Sequence, residues 1–76
     1  METYKYENIK NKRKFTIEPS RRKSKKQTDS EQIRIFMERQ KRIVNLWIKM
    51  GVVSMTIWDY DEENDCHVRG ECYRFN

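Results

Sequence analysis

At Gly51 the apolar periodicity of this chain changes from 3.6 residues to two, and no other feature so narrows what the chain can fold into. Before the switch, Ile33, Phe36, Met37, Ile43, Val44, Trp47 and Met50 recur at helical spacing, with Gln40 as a polar interruption. Arg34, Glu38, Lys41, Asn45 and Lys49 fall on the opposite side. Thr28, Asp29, Ser30 and Glu31 supply capping residues, and Glu31 stands three after Thr28 as in a capping box. Gly51 occupies the place of a left-handed C′ residue, and Lys49 suits the last turn. The pattern predicts one helix over 29–50. After the switch, Val53, Met55 and Ile57 alternate with Ser54, Thr56 and Trp58, the signature of a half-buried strand. Asp61 to Asp65 has turn composition. Residues 66–75 read as a second strand, with Val68, Gly70 and Cys72 on one side and His67, Arg69, Glu71 and Tyr73 on the other. Gly70 inside a strand points to a bulge or a close backbone approach.

A hairpin alone is marginal in water, so this one needs the helix and further sheet. Lys14 to Glu18 alternates, with Phe15 and Ile17 on one face, and Pro19 closes it, which suits an edge strand over 14–18. Tyr4, Tyr6 and Ile9 extend that strand or dock on the sheet, and Ser20 to Gln27 has no apolar residue and reads as a basic linker. The expected fold is α+β: a small β-α-β-β domain, one helix on a two- or three-stranded antiparallel sheet. It divides into a basic N-terminal arm over 1–28 and a helix-plus-hairpin core over 29–76.

Size and charge bound the function. With 76 residues the chain holds one domain, and its core is small. A deep substrate cleft would strain such a core. No apolar run approaches the roughly 18 residues of a membrane span, so no membrane partner is expected. Residues 1–10 have no signal-type apolar region, and two cysteines, Cys66 and Cys72, are too few for a disulfide framework. The expectation is a cytoplasmic protein with reduced, buried thiols. The absence of Ala beside plentiful Lys, Ile, Asn and Tyr fits an AT-rich genome, as in many bacteria and their phages.

The net charge of +5 divides into +9 through residue 50 and −4 after it. Lys10 to Lys26 carries nine basic residues against the single Glu18, and Asp59, Asp61, Glu62, Glu63 and Asp65 gather the acid. Cations at that density repel one another unless a polyanion neutralises them, and each phosphate bound releases counterions. The candidate phosphate-binding residues are Lys12, Arg13, Lys14, Arg21, Arg22, Lys23, Lys25 and Lys26. Trp58, on the strand parity opposite to Met55 and Ile57, is a candidate for stacking on bases, with Tyr60 and Tyr73 beside it, whereas Trp47 belongs to the core.

Other chemistries find less support. Cys66, His67 and Cys72 are one ligand short of a structural zinc site, and adjacent strand residues point apart, so neither metal nor cofactor is expected. The acidic run lacks the order of a calcium-binding EF-hand loop. No helix-turn-helix can be built from one helix, and a sheet with outward aromatics suits RNA better than duplex DNA. The resulting expectation is a small, non-enzymatic, RNA-preferring nucleic-acid-binding regulator with no catalytic residues. The alternative is a protein-directed inhibitor or antitoxin-like factor, phage-encoded, docking on a host enzyme or nuclease with or without RNA. A third reading is a small ribonuclease using His67 with Arg69, Arg74 or Tyr73. The helix, Gly51 and the strand after it resemble the small toxin ribonucleases of the HicA kind, which carry a Gly-Ser-His type catalytic segment. That triplet is missing from the corresponding stretch, so no catalytic residue carries over. Ile35 and Leu46 lie off the centre of the helical stripe, surface that a homodimer would bury.

Overall fold

The computed structural model of the protein describes residues 3–75 and, at Arg69, the backbone only. In chain order the elements are β1 (Tyr4–Glu7), β2 (Lys14–Ser20), α1 (Glu31–Arg39), α2 (Lys41–Lys49), β3 (Ser54–Asp61) and β4 (Cys66–Arg74). The four strands form one antiparallel sheet in the order β1-β2-β3-β4. The class is α+β as expected, but the topology is β-β-α-α-β-β. Tyr4 and Tyr6, whose alternation left two readings open, form the extra strand by pairing with Ile17 and Phe15. Consequently β2 is not an edge strand. It lies between β1 and β3 and supplies Phe15 and Ile17 to the core. Nor does Pro19 close it: β2 continues to Ser20, and Pro19 sits opposite Met55 where β2 has run past the start of β1. Residues 3–20 are thus largely sheet, and the irregular basic stretch is the connection between β2 and α1.

The single helix expected over 29–50 is two helices meeting at Gln40, which has φ −111° and ψ 42°. The cause is visible in the stripe. Gln40 falls midway between Phe36 and Val44, so a continuous helix would press its amide into the core. The break lets α1 bury Ile33 and Phe36 and α2 bury Val44 and Trp47 as separate faces. The N-cap is Ser30, whose hydroxyl accepts from the Ile33 amide, and no capping box forms at Thr28. At the other end the Gly51 amide bonds to the Ile48 carbonyl and the Val52 amide to the Trp47 carbonyl. This is a Schellman closure, and Gly51 takes the φ of +89° that the motif reserves for glycine. Val52 is buried beside Trp47 as its hydrophobic partner.

Both helices cover the same side of the sheet. Phe15, Ile17, Met55 and Ile57 from the strands meet Ile33, Phe36, Val44, Trp47 and Val52. Tyr4 and Tyr6 close the margin, their rings 6.0 and 5.1 Å from that of Phe36. Tyr73 and Phe75 also pack against this core, so Tyr73 is not on the face of Trp58. Among the described residues no helix is long and apolar enough to cross a membrane.

Candidate nucleic-acid interface

Among the described residues no helix covers the opposite face of the sheet. Because strand residues alternate, register alone fixes what it presents. One row across the four strands is Glu7, Lys14, Tyr60 and His67, and the next is Lys5, Thr16, Trp58 and Gly70. Glu18, Thr56 and Cys72 follow, and Ser20, Ser54 and Arg74 end the face.

His67 reaches this face through a bulge. Asp59 pairs with Arg69 but Tyr60 pairs with His67, so Val68 is passed over and the strand parity inverts. Simple alternation places His67 away from Gly70 and Cys72, whereas the structure puts all three on one face. The imidazole comes to 5.4 Å from the Tyr60 ring and 6.2 Å from the Trp58 ring, tilted to both. Gly70, two residues after the bulged Val68, was the available signal, and both of its readings apply: a bulge beside it and a close approach over it.

That close approach fixes Trp58. A Cβ built on Gly70 would lie 3.1, 3.2 and 3.3 Å from Cζ3, Cη2 and Cε3 of the indole. Three consecutive ring atoms can be almost equidistant from one outside point only if the point lies over the ring face and not beyond its edge. Trp58 therefore lies flat across Gly70, with one face against β4 and the other turned away from the sheet. A half-buried tryptophan in this attitude is a platform on which a planar group can stack.

The cations separate into two groups at opposite ends of the strands. At the end of the β1–β2 and β3–β4 turns, Lys12 is exposed in a left-handed turn conformation. Beside it Arg13 pairs with Asp59 and Lys14 with Glu62. The bond to Glu62 raises Lys14 above the ordinary lysine range. The Tyr60 hydroxyl donates to Asp65, which raises the phenol. Asp61 accepts from Asn64 and lies below the usual carboxylate range. Two of the candidate phosphate ligands, Arg13 and Lys14, are thus already matched by carboxylates of the acidic turn.

At the other end the remaining candidates are unmatched. The connection from β2 to α1 crosses the ends of β3 and β4 and is tied down along its length. The Ser54 hydroxyl donates to the Arg22 carbonyl, and Arg21 Nε donates to the Met50 carbonyl at 3.2 Å. The Thr28 amide donates to the Cys72 carbonyl at 2.7 Å, and Arg74 Nε to the Gln27 amide oxygen at 3.1 Å. Arg21, Arg22, Lys23, Lys25 and Lys26 are exposed along this track. Among the described residues none of the five pairs with a carboxylate.

Two of the partners named for His67 in the third reading, Tyr73 and Arg74, are not brought to it. Tyr73 faces the helices, and Arg74 stands at the far end of β4 from His67. The Arg69 side chain lies outside the described residues. Of the two thiols, expected to be buried, Cys66 is exposed at the acidic turn and Cys72 is half-buried with Sγ 3.6 Å from Thr56 Oγ1. Comparison with protein-family models, with curated proteins and with solved structures finds no match to this chain.

Proposed function

We propose that the protein is a small, non-enzymatic regulator that binds single-stranded nucleic acid, RNA in preference to DNA. The observation that carries the reading is the pairing of two features on one side of the fold. Trp58 lies flat on a sheet face with no helix over it. A fastened run of five exposed, unmatched cations borders one end of that face. Bases stacked on the indole and phosphates held by Arg21, Arg22, Lys23, Lys25 and Lys26 would use both at once. Duplex is disfavoured because its bases are already stacked on one another and cannot lie against the indole.

Gel shifts with an RNA strand, a DNA single strand and a DNA duplex at two salt concentrations test this. The expected order is RNA, then single-stranded DNA, then duplex, with affinity falling steeply as salt rises. Reversing the charge of Arg22, Lys25 and Lys26 together abolishes binding and leaves the melting temperature nearly unchanged. Binding to RNA that ignores salt would overturn the reading. A second reading, a protein-directed inhibitor, draws on the exposed Leu46, Ile48 and Met50 at the end of α2. A pulldown repeated after RNase treatment separates the two, since a protein partner held directly survives and one bridged by RNA is lost.

A further inference from the structure

The row above Trp58 holds a hollow of about 610 Å³, bordered by Lys5, Glu7, Lys14, Tyr60 and His67. Its size is within the usual range for small-molecule sites. One of its walls is aromatic, the tilted Tyr60 and His67 pair. The polar groups facing it are unequal. Lys14 is engaged by Glu62, which also lines the hollow, while Glu7, directly across from Lys14 and near enough to act on it by charge, makes no ion pair among the described residues. An unmatched carboxylate on a face that receives a polyanion repels phosphate. It becomes favourable only if it meets hydrogen-bond donors of the ligand, and on a nucleic acid those are base N–H groups.

Guanine is the base that presents two such donors side by side, N1–H and the N2 amino group, spaced to meet both oxygens of one carboxylate. Cytosine and adenine each offer a single amino group with ring acceptors next to it, and uracil offers one N–H between two carbonyls. Guanine also carries O6 and N7 as acceptors on the adjoining edge. Lys5 stands two residues from Glu7 on the same strand and the same face, a separation of about 7 Å, which suits those acceptors.

We infer that this hollow takes one unpaired guanine, with its ring against Tyr60 and His67, N1–H and N2–H donated to Glu7, and O6 and N7 accepting from Lys5. The inference rests on the nucleic-acid reading and adds base identity to it. The neighbouring base in the strand then falls on Trp58, one row away.

The test is fluorescence anisotropy with four RNA octamers of uridine that differ only at one central position, G, A, C or U, plus guanosine monophosphate as a competitor. The wild-type protein should prefer the G octamer by about tenfold, the value of one bidentate base contact. Glu7→Gln should lose that preference, its affinity for the G octamer falling to that for the others. Circular dichroism melts show whether the variant is folded, which an exposed position on a short edge strand permits. If the preference appears and the monophosphate competes, the site takes the free nucleotide as well as the strand. If the preference appears without competition, the strand is the ligand. Equal affinity for all four octamers with strong salt dependence overturns the guanine site and leaves the cationic interface standing. Retention of the preference by folded Glu7→Gln overturns it too. Absence of binding to every octamer removes both readings.

Discussion

Replacing Gly70 with alanine would bring a methyl group to 3.1–3.3 Å from the underside of the Trp58 ring, tighter than nine in ten real Cβ contacts. The indole must give by a few tenths of an ångström, and its open outer face lets it do so. Gly70→Ala should therefore cost no more than about 1 kcal/mol, the low end of overpacking. It should also shift the tryptophan emission and weaken RNA binding, whereas the same substitution in a Trp58→Ala background should do neither. Denaturant melts and titrations of the two variants check this. A different residue carries the pH dependence. The Tyr6 hydroxyl is buried without a hydrogen-bond partner among the described residues, and burial, followed by the charge of Glu71, pushes the phenol up to about 12. The folded state holds this proton more tightly than the unfolded chain. Stability that Tyr6 supports is therefore complete below pH 10 and is lost as pH rises from there through 12. Removing the orphaned hydroxyl in Tyr6→Phe should raise stability by about 1 kcal/mol at pH 7 and flatten the fall above pH 10. Melts of both proteins at pH 7, 9 and 11 provide the comparison. At this scale the sequence was partly legible. The parity of Trp58 put it on the face away from Met55, where it lies. Tyr73 and His67 were not placed, because alternation counts residues, and one bulged position at Val68 inverts the count for everything on its far side.

Among the elements, the helical segment shows how a cap is chosen. Thr28, Asp29 and Ser30 are all competent by residue type, and the sequence favours Thr28 through the spacing to Glu31. The fold decides otherwise, because the Thr28 amide is committed to the Cys72 carbonyl at the open side of β4. The chain can turn into helix only after leaving that strand, so Ser30 takes the cap. Ser30→Ala should cost about 1 kcal/mol and Thr28→Ala appreciably less, measured by urea denaturation. The break at Gln40 was legible as an interruption but not as an end, since one polar residue in a stripe is compatible with a continuous helix. What decides is a core too small to host an amide. The strands after Gly51 were legible because their period is unmixed. β1 was not, since four residues with two exposed give too short a pattern.

In the whole molecule, sequence position and spatial position of charge diverge. The candidate cations form one dense run along the chain, yet antiparallel pairing carries Lys12, Arg13 and Lys14 to one end of the sheet and Arg21 to Lys26 to the other. About 20 Å of strand separates Lys14 from Ser20, more than twice the Debye length at physiological salt. The acidic turn neutralises only the end it belongs to. Salt titrations should expose the difference. Neutralising Arg22 and Lys25 with glutamine should reduce the slope of log affinity against log salt by about 0.7 per residue on a single strand. The same change at Arg13 and Lys14, already paired with Asp59 and Glu62, should leave the slope close to that of wild type. Sequence alone could not make this distinction, because which carboxylate meets which cation depends on the register of β2 against β3.

That register also governs how the molecule comes together. β1 with β2 and β3 with β4 are hairpins whose strands are near neighbours along the chain, whereas β2 and β3 meet across both helices and both connections. Local hairpins close in microseconds, but the central seam must first bring distant segments together, and the loop entropy of doing so is met before any contact across it forms. The β2–β3 seam is therefore the slow event of folding. Ile17 and Ile57 face each other across it in the core, so shortening either side chain should slow folding in stopped-flow refolding.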